Sequence, residues 1–163
     1  MEHPARAPDW AAALQESNFA FAIRDSTWIY PTANLSHILG LALLVGSILI
    51  LDLRVLGIGR WVAVEALSRL TTPFSIIGIC LSLASGAVLF SADAAALAGH
   101  PIFRLKMAIL AAALANALLF RWLWQRQIAG GTDPVPAPAR LQAVLSGLAW
   151  LSVASCGRLI AYF

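Results

Sequence analysis

Four long apolar stretches restrict this chain to a membrane-spanning helical fold more than any other feature of its sequence. They lie at about 28–52, 72–92, 102–124 and 141–161. At about 1.5 Å per residue, a helix of roughly 20 residues covers the roughly 30 Å of hydrocarbon in a bilayer. The composition, 60% hydrophobic and 12% charged, lacks the polar surface of a soluble domain, which carries about 25% charged residues. We predict an all-α integral membrane protein, a four-transmembrane-helix bundle that forms one domain over 1–163.

The segment before the first span has the pattern of a helix that lies on the membrane surface. Asp9 is a suitable N-cap, and Trp10, Leu14 and Phe21 fall near one side of a helix, whereas Glu16 and other polar residues lie elsewhere. We predict an N-terminal amphipathic interfacial helix over about 9–25.

The sequence also indicates where the second and third spans begin. The second is expected to begin near Pro73. Only 14 residues separate Lys106 from Arg121, too few to cross a bilayer. The third helix must therefore begin near Ile102 and carry Lys106 into the apolar region.

Between the third and fourth spans, the Gly- and Pro-rich stretch 130–139 predicts an exposed loop.

Arginine positions indicate the orientation in the membrane. The connections between spans one and two and between spans three and four hold six arginines, namely Arg54, Arg60, Arg69, Arg121, Arg126 and Arg140. The positive-inside rule places these connections in the cytoplasm. We therefore predict a multi-pass protein of the bacterial inner membrane with both termini non-cytoplasmic. The formal charge of +3 is spread between apolar segments, which indicates contact with the lipid bilayer and no nucleic acid partner.

With this orientation, polar residues gather in the outer half of the predicted bundle. His37 lies nine residues into span one, about 13 Å below the outer surface, with Asn34 and Gly40 one turn away on either side. Lys106 opens span three, His100 stands at its outer mouth, and Arg158 lies near the outer end of span four. The inner half is expected to be almost purely apolar, with Asn116 as the main exception.

Two interpretations of His37 are open, because a short imidazole at that depth does not reach water. It is either an interhelical hydrogen-bond partner or a cofactor ligand. Haem b takes an axial imidazole and an apolar slot with cations near its propionates. Lys106, Arg158 and Arg24 could supply those cations, although Lys106 and Arg158 could also extend to the headgroups. Copper ranks second as the metal at His37, with Cys80, Met107 and Cys156 as soft ligands in the outer half.

Two segments resemble a known family. They are Ser36-His37-Ile38-Leu39-Gly40, running on to Asp52-Leu53-Arg54-Val55-Leu56-Gly57, and Phe103-Arg104-Leu105-Lys106-Met107, with Trp28-Ile29-Tyr30-Pro31 upstream. Together they resemble an uncharacterised bacterial family of four-span membrane proteins over most of the chain. More distantly, the layout is similar to the membrane domain of copper-resistance D proteins and to the haem-containing membrane protoporphyrinogen oxidase. The second resemblance implies haem b at His37 and Lys106, with Arg54 as the arginine at the end of the span.

The sequence as a whole therefore favours a haem b slot in the outer half. His37 is the expected axial ligand, and Lys106 or His100 is the second ligand or a propionate partner. The expected function is electron transfer or haem-dependent oxidoreduction, with a quinone or a membrane redox partner, possible homo-oligomer formation and no soluble-enzyme motif. The alternatives are a copper or small-solute permease and a structural subunit of a larger membrane complex.

Overall fold

A computed structural model describes residues 8–129, 135–160 and 162. Within these residues the chain is all-helical. The seven helices are α1 (Asp9–Gln15), α2 (Asn18–Asp25), α3 (Ile29–Val55), α4 (Val64–Ala92), α5 (Ala94–Gly99), α6 (Pro101–Ala129) and α7 (Ala137–Leu159). Of the Gly- and Pro-rich stretch 130–139, residues 130–134 lie outside the described residues. The prediction of an exposed loop is wrong for the rest of the stretch, because Val135 is buried, α7 begins at Ala137 and Ala139 is buried.

Four of these helices, α3, α4, α6 and α7, are long and apolar enough to cross a membrane. This confirms the all-helical class and the number of potential spans. Each of these helices extends past its predicted apolar stretch at one end at least. In particular, α4 begins at Val64, so that Pro73 lies inside the helix and not at its start. The third long helix begins at Pro101, as the short interval between Lys106 and Arg121 requires.

The closest packing joins α3 to α4, whereas α6 packs on α7 and α7 packs on α3. Glycines allow the first of these contacts. A Cβ atom on Gly78 would lie 2.5 Å from the backbone nitrogen of Leu44, and one on Gly40 would lie 2.8 Å from the backbone nitrogen of Ser82. The fourth neighbouring pair of long helices, α4 and α6, is loosely packed and touches at few positions. In membrane proteins, small residues at a helix crossing allow the two helices to approach closely.

The segment before α3 forms two short helices where the sequence suggests one helix over 9–25. The break falls at Glu16 and Ser17, and the Ser17 hydroxyl accepts a hydrogen bond from the Ala20 backbone N–H at 3.2 Å. A serine that caps a new helix in this way competes with continuation of the old one. Arg24 donates to the Ala92 carbonyl oxygen at 2.8 Å, which ties α2 to the end of α4.

The connection between α3 and α4 is organised by a buried arginine. Arg54 donates from Nε to the carbonyl oxygen of Val62, and its Nη2 lies 3.4 Å from the carbonyl oxygen of Arg60. Gly57 and Gly59 in this connection have φ angles of +104° and +68°, which residues with a side chain rarely adopt. The arginine expected at the end of the span is therefore a structural anchor of the loop.

Candidate functional site

His37 lies about 12 Å along α3 from its first residue and is half-buried against α4. Its Nδ1 atom is 2.9 Å from the carbonyl oxygen of Ser82 and 3.2 Å from Oγ of Ser85. Both partners belong to α4. The interhelical hydrogen bond that the sequence left as one alternative for His37 is therefore present.

The hydrogen-bond network assigns the tautomer of His37. The Ser82 carbonyl oxygen is an acceptor only, and the Ser85 hydroxyl already donates to the Leu81 carbonyl oxygen at 2.6 Å. Both neighbours of Nδ1 therefore require a donor, so Nδ1 carries the proton in the neutral ring. Nε2 then keeps its lone pair, and it has no hydrogen-bond partner among the described residues. The hydrogen bond and the role of ligand are thus compatible, because they use different nitrogen atoms.

Lys106 approaches this histidine from the opposite helix pair. Its side chain is half-buried and lies near enough to His37 for their charges to interact. A Cβ atom on Gly157 of α7 would be 3.4 Å from Nζ of Lys106, and a Cβ atom on Gly86 of α4 would be 3.1 Å from Cε1 of His37. Two glycines thus leave room for the two polar side chains. All four long helices contribute to this cluster, which we call the His37 site.

The three remaining candidate residues occupy different places around the end of the helices that holds His37. His100 lies between α5 and α6, and its Nδ1 is buried without a hydrogen-bond partner among the residues that the structure describes. Arg158 is exposed; its Nη2 donates to the Tyr162 hydroxyl at 2.7 Å, and its guanidinium lies 5.0 Å from the Tyr162 ring centroid. Asn34 is exposed although Gly40, on the other side of His37, is buried. Of the predicted residues, the structure brings His37 and Lys106 together.

The soft ligands expected for copper do not gather around His37. Cys80 and Met107 are exposed, whereas Cys156 is buried next to Lys106. Across residues 8–129, 135–160 and 162, no group of three or more His, Cys, Asp or Glu side chains could hold a metal ion. A haem iron needs one or two protein ligands, and the free Nε2 of His37 fits that requirement. A cavity of about 450 Å³ beside the start of α3 has Ser85 in its wall, although His37 does not line it.

The expectation that the inner half is almost purely apolar is wrong. Buried polar side chains occur there on three of the four long helices, namely Ser47, Asp52, Thr71 and Ser146. The sequence reasoning missed them because serine and threonine bond to their own helix backbone, as Thr71 does to the Leu67 carbonyl oxygen at 3.0 Å. Asp52 was treated as the last residue of a span. In the structure Asp52 lies one turn before the end of α3 and is buried. The available signal in the sequence was a carboxyl group at the end of an apolar stretch.

Fold and site together define a helical protein with four potential membrane spans and a histidine–lysine pair between them. The chain belongs to the family of unknown function DUF6644, whose sequence model matches residues 10–163. No curated protein and no solved structure matches it. Membership supports the resemblance to an uncharacterised family. The more distant resemblance to copper-resistance D proteins and to the membrane protoporphyrinogen oxidase has no support in these comparisons.

Proposed function

We propose that this chain is a haem b-binding four-helix bundle of the bacterial inner membrane that acts in electron transfer or haem-dependent oxidoreduction. The observation that supports the proposal best is the hydrogen bond from Nδ1 of His37 to the Ser82 carbonyl oxygen. A histidine that ligates a metal usually donates its other N–H to such an acceptor, which orients the ring and raises the basicity of the ligand. When bound, the haem would supply a one-electron redox centre.

The remaining polar residues of the outer half have supporting roles in this proposal. His37 would hold the iron through Nε2, and Lys106 would be the second ligand or the partner of a propionate. His100, whose buried Nδ1 lacks a partner, is the other candidate for the second ligand. Arg158 is exposed near the end of α7, where its cation can attract a propionate. Asn34 is the weakest member of the predicted set, because it is exposed.

The proposal includes a membrane orientation. α1 and α2 lie at the outer interface, both termini are non-cytoplasmic, and the connection between α3 and α4 is cytoplasmic because of its arginines. The exposed aromatic residues Phe19, Phe21 and Trp28 are suited to the headgroup region of that outer surface.

Cysteine labelling tests this orientation. In a variant without Cys80 and Cys156, Asp93→Cys should react with a membrane-impermeant maleimide in cells whose outer membrane has been permeabilised. Ile58→Cys should react only after the inner membrane is broken. Both positions are exposed in the connections between long helices, so neither result depends on unfolding. The reverse pattern would invert the orientation, and labelling of both positions in intact cells would contradict the four-span arrangement.

Absorbance spectroscopy tests the cofactor. Protein expressed with ample haem and purified in detergent should show a Soret band, and colourless protein should gain one when hemin is added. Reduction by dithionite should shift the band if the iron is redox-active. A protein that stays colourless, with no spectral response to hemin, would defeat the haem proposal and favour the permease or the structural subunit.

A further inference from the structure

A second cavity, of about 570 Å³, lies in the inner half of the protein. Side chains of all four long helices line it. The cavity lies on the side where α4 and α6 touch at few positions, while α3 and α7 form its floor. Ligand sites typically have volumes of about 300–1,000 Å³, whereas a water molecule takes up about 30 Å³. The space is therefore large enough for an organic molecule. We call it the inner cavity.

Most polar side chains of the inner cavity already have hydrogen-bond partners. Ser75 is bonded to Ser47 at 2.7 Å, and the Asn116 amide donates to the Gln142 carbonyl oxygen at 3.2 Å. These groups are satisfied within the protein and do not require a ligand.

Two atoms in the wall differ from the rest. Oδ2 of Asp52 and Nε1 of Trp150 are buried and have no hydrogen-bond partner in the part of the chain that the structure describes. Asp52 is 9% exposed and Trp150 is 0% exposed. The Ser146 side chain interacts with the Asp52 carboxyl group, and Ser146 lies one helical turn before Trp150 on the same face of α7. One acceptor and one donor thus lack partners in a part of the protein where lipid offers none.

The position of Trp150 limits what could satisfy these atoms. It lies about 20 Å along α7 from the first residue of that helix, whereas membrane tryptophans are enriched at the interfaces. Its neighbours are apolar; Leu44 and Ala113 are buried with it. Glu65, Arg69 and Arg121 line one end of the cavity, where a phospholipid headgroup could lie, but an acyl chain brings no hydrogen-bonding group to Trp150. An occupant that satisfies both buried atoms carries an apolar body together with a donor and an acceptor.

We infer that the inner cavity binds the ring of a membrane quinol. One quinol hydroxyl donates to Oδ2 of Asp52, and the oxygen atom on the opposite side of the ring accepts from Nε1 of Trp150. The isoprenoid tail leaves through the loose side between α4 and α6. This site uses none of the residues proposed to hold haem, so it stands or falls separately from the haem proposal.

Retention of a labelled decyl-tailed benzoquinol by the immobilised, detergent-solubilised protein tests the inference. The wild type should retain it saturably, at about one per chain. Trp150→Phe should weaken retention by about tenfold or more, since it leaves a buried hydrogen bond unmade. The wild type should bind the quinol more tightly than the oxidised quinone, because a carboxylate only accepts, whereas Asp52→Asn should bind both forms, because its amide group can accept from a hydroxyl or donate to a carbonyl oxygen. This loss of preference would not follow from a merely structural role.

Matched variants serve as controls. Asp93→Asn and Trp122→Phe make the same chemical changes at exposed positions, where Trp122 is 79% exposed, and both should bind as the wild type does. Should Asp52→Asn or Trp150→Phe fail to fold, Leu118→Trp provides an independent test. Leu118 lines the cavity but is 70% exposed. A tryptophan there should therefore block entry of the quinol into the cavity without preventing folding.

Several results would overturn the inference. Retention that does not saturate would mean partition into detergent, with only water in the cavity. Equal retention by wild type, Asp52→Asn, Trp150→Phe and Leu118→Trp would place the quinol elsewhere. Displacement by phosphatidylethanolamine as efficient as by unlabelled quinol would assign the cavity to lipid. A Soret band measured on the same samples keeps these outcomes apart from failure of the haem proposal.

Discussion

Replacement of His37 by alanine should abolish the Soret band and leave a folded, membrane-inserted protein. The imidazole is the ligand in the proposed haem site, and its Nε2 has no hydrogen bond to a described residue that would be lost with it. The loss of the Nδ1 hydrogen bond should cost about 0.6–2 kcal/mol of bundle stability, the range found for such bonds between membrane helices. Absorbance spectra with hemin in excess, together with helix content by circular dichroism, measure both effects.

Changes at neighbouring residues separate the ligand from its surroundings. Asn34→Ala is the control on the same helix, and because Asn34 is exposed its spectrum should equal that of the wild type. Lys106→Ala should shift the Soret band if the lysine is the second ligand, or speed haem loss if it pairs with a propionate. A His37→Ala protein that keeps the wild-type spectrum would remove His37 from the haem site. If the wild type shows no Soret band and His37→Ala only lowers the stability, then His37 serves only as a hydrogen-bond partner between two helices.

Replacement of Gly78 by alanine should give the largest loss of stability of any single methyl addition among the described glycines. The new Cβ atom would lie 2.5 Å from the Leu44 backbone nitrogen, 2.8 Å from the Gly40 carbonyl oxygen and 2.9 Å from the Leu44 Cα atom. All three are backbone atoms, so α3 and α4 must move apart. Overpacking of this kind typically costs about 1–3 kcal/mol, occasionally more. Unfolding in mixed detergent micelles, followed by circular dichroism, measures the cost.

Gly46 offers the matched control for this change. It lies within α3, and a Cβ atom there would have nothing within 4 Å. Gly46→Ala should therefore be neutral or stabilising by up to about 1 kcal/mol, since alanine is the better helix former. Equal stability of the Gly78→Ala and Gly46→Ala proteins would contradict the close α3–α4 crossing. The position of His37 against Ser82 depends on that crossing, so Gly78→Ala should also weaken any haem binding.

The sequence was sufficient to predict the number of potential spans and their approximate positions. A bilayer demands helices of a certain length, because backbone groups in hydrocarbon must bond within their own segment. The apolar stretches therefore predicted α3, α4, α6 and α7, and the short interval before Arg121 predicted that α6 begins ahead of Lys106. His37 and Lys106 were predicted as site residues because polar side chains deep within apolar stretches are costly in lipid.

Only the tertiary structure showed which faces of these helices meet. Helices that are apolar nearly all round carry no stripe that distinguishes core from lipid, so rotation about each axis depends on the close approach at Gly40 and Gly78. That approach is what brings Nδ1 of His37 to the Ser82 carbonyl oxygen and so assigns its tautomer. It was also the packing of α3 on α7 that placed Asp52 beside Ser146 and Trp150. These residues are about a hundred positions apart in the sequence, and no local pattern relates them.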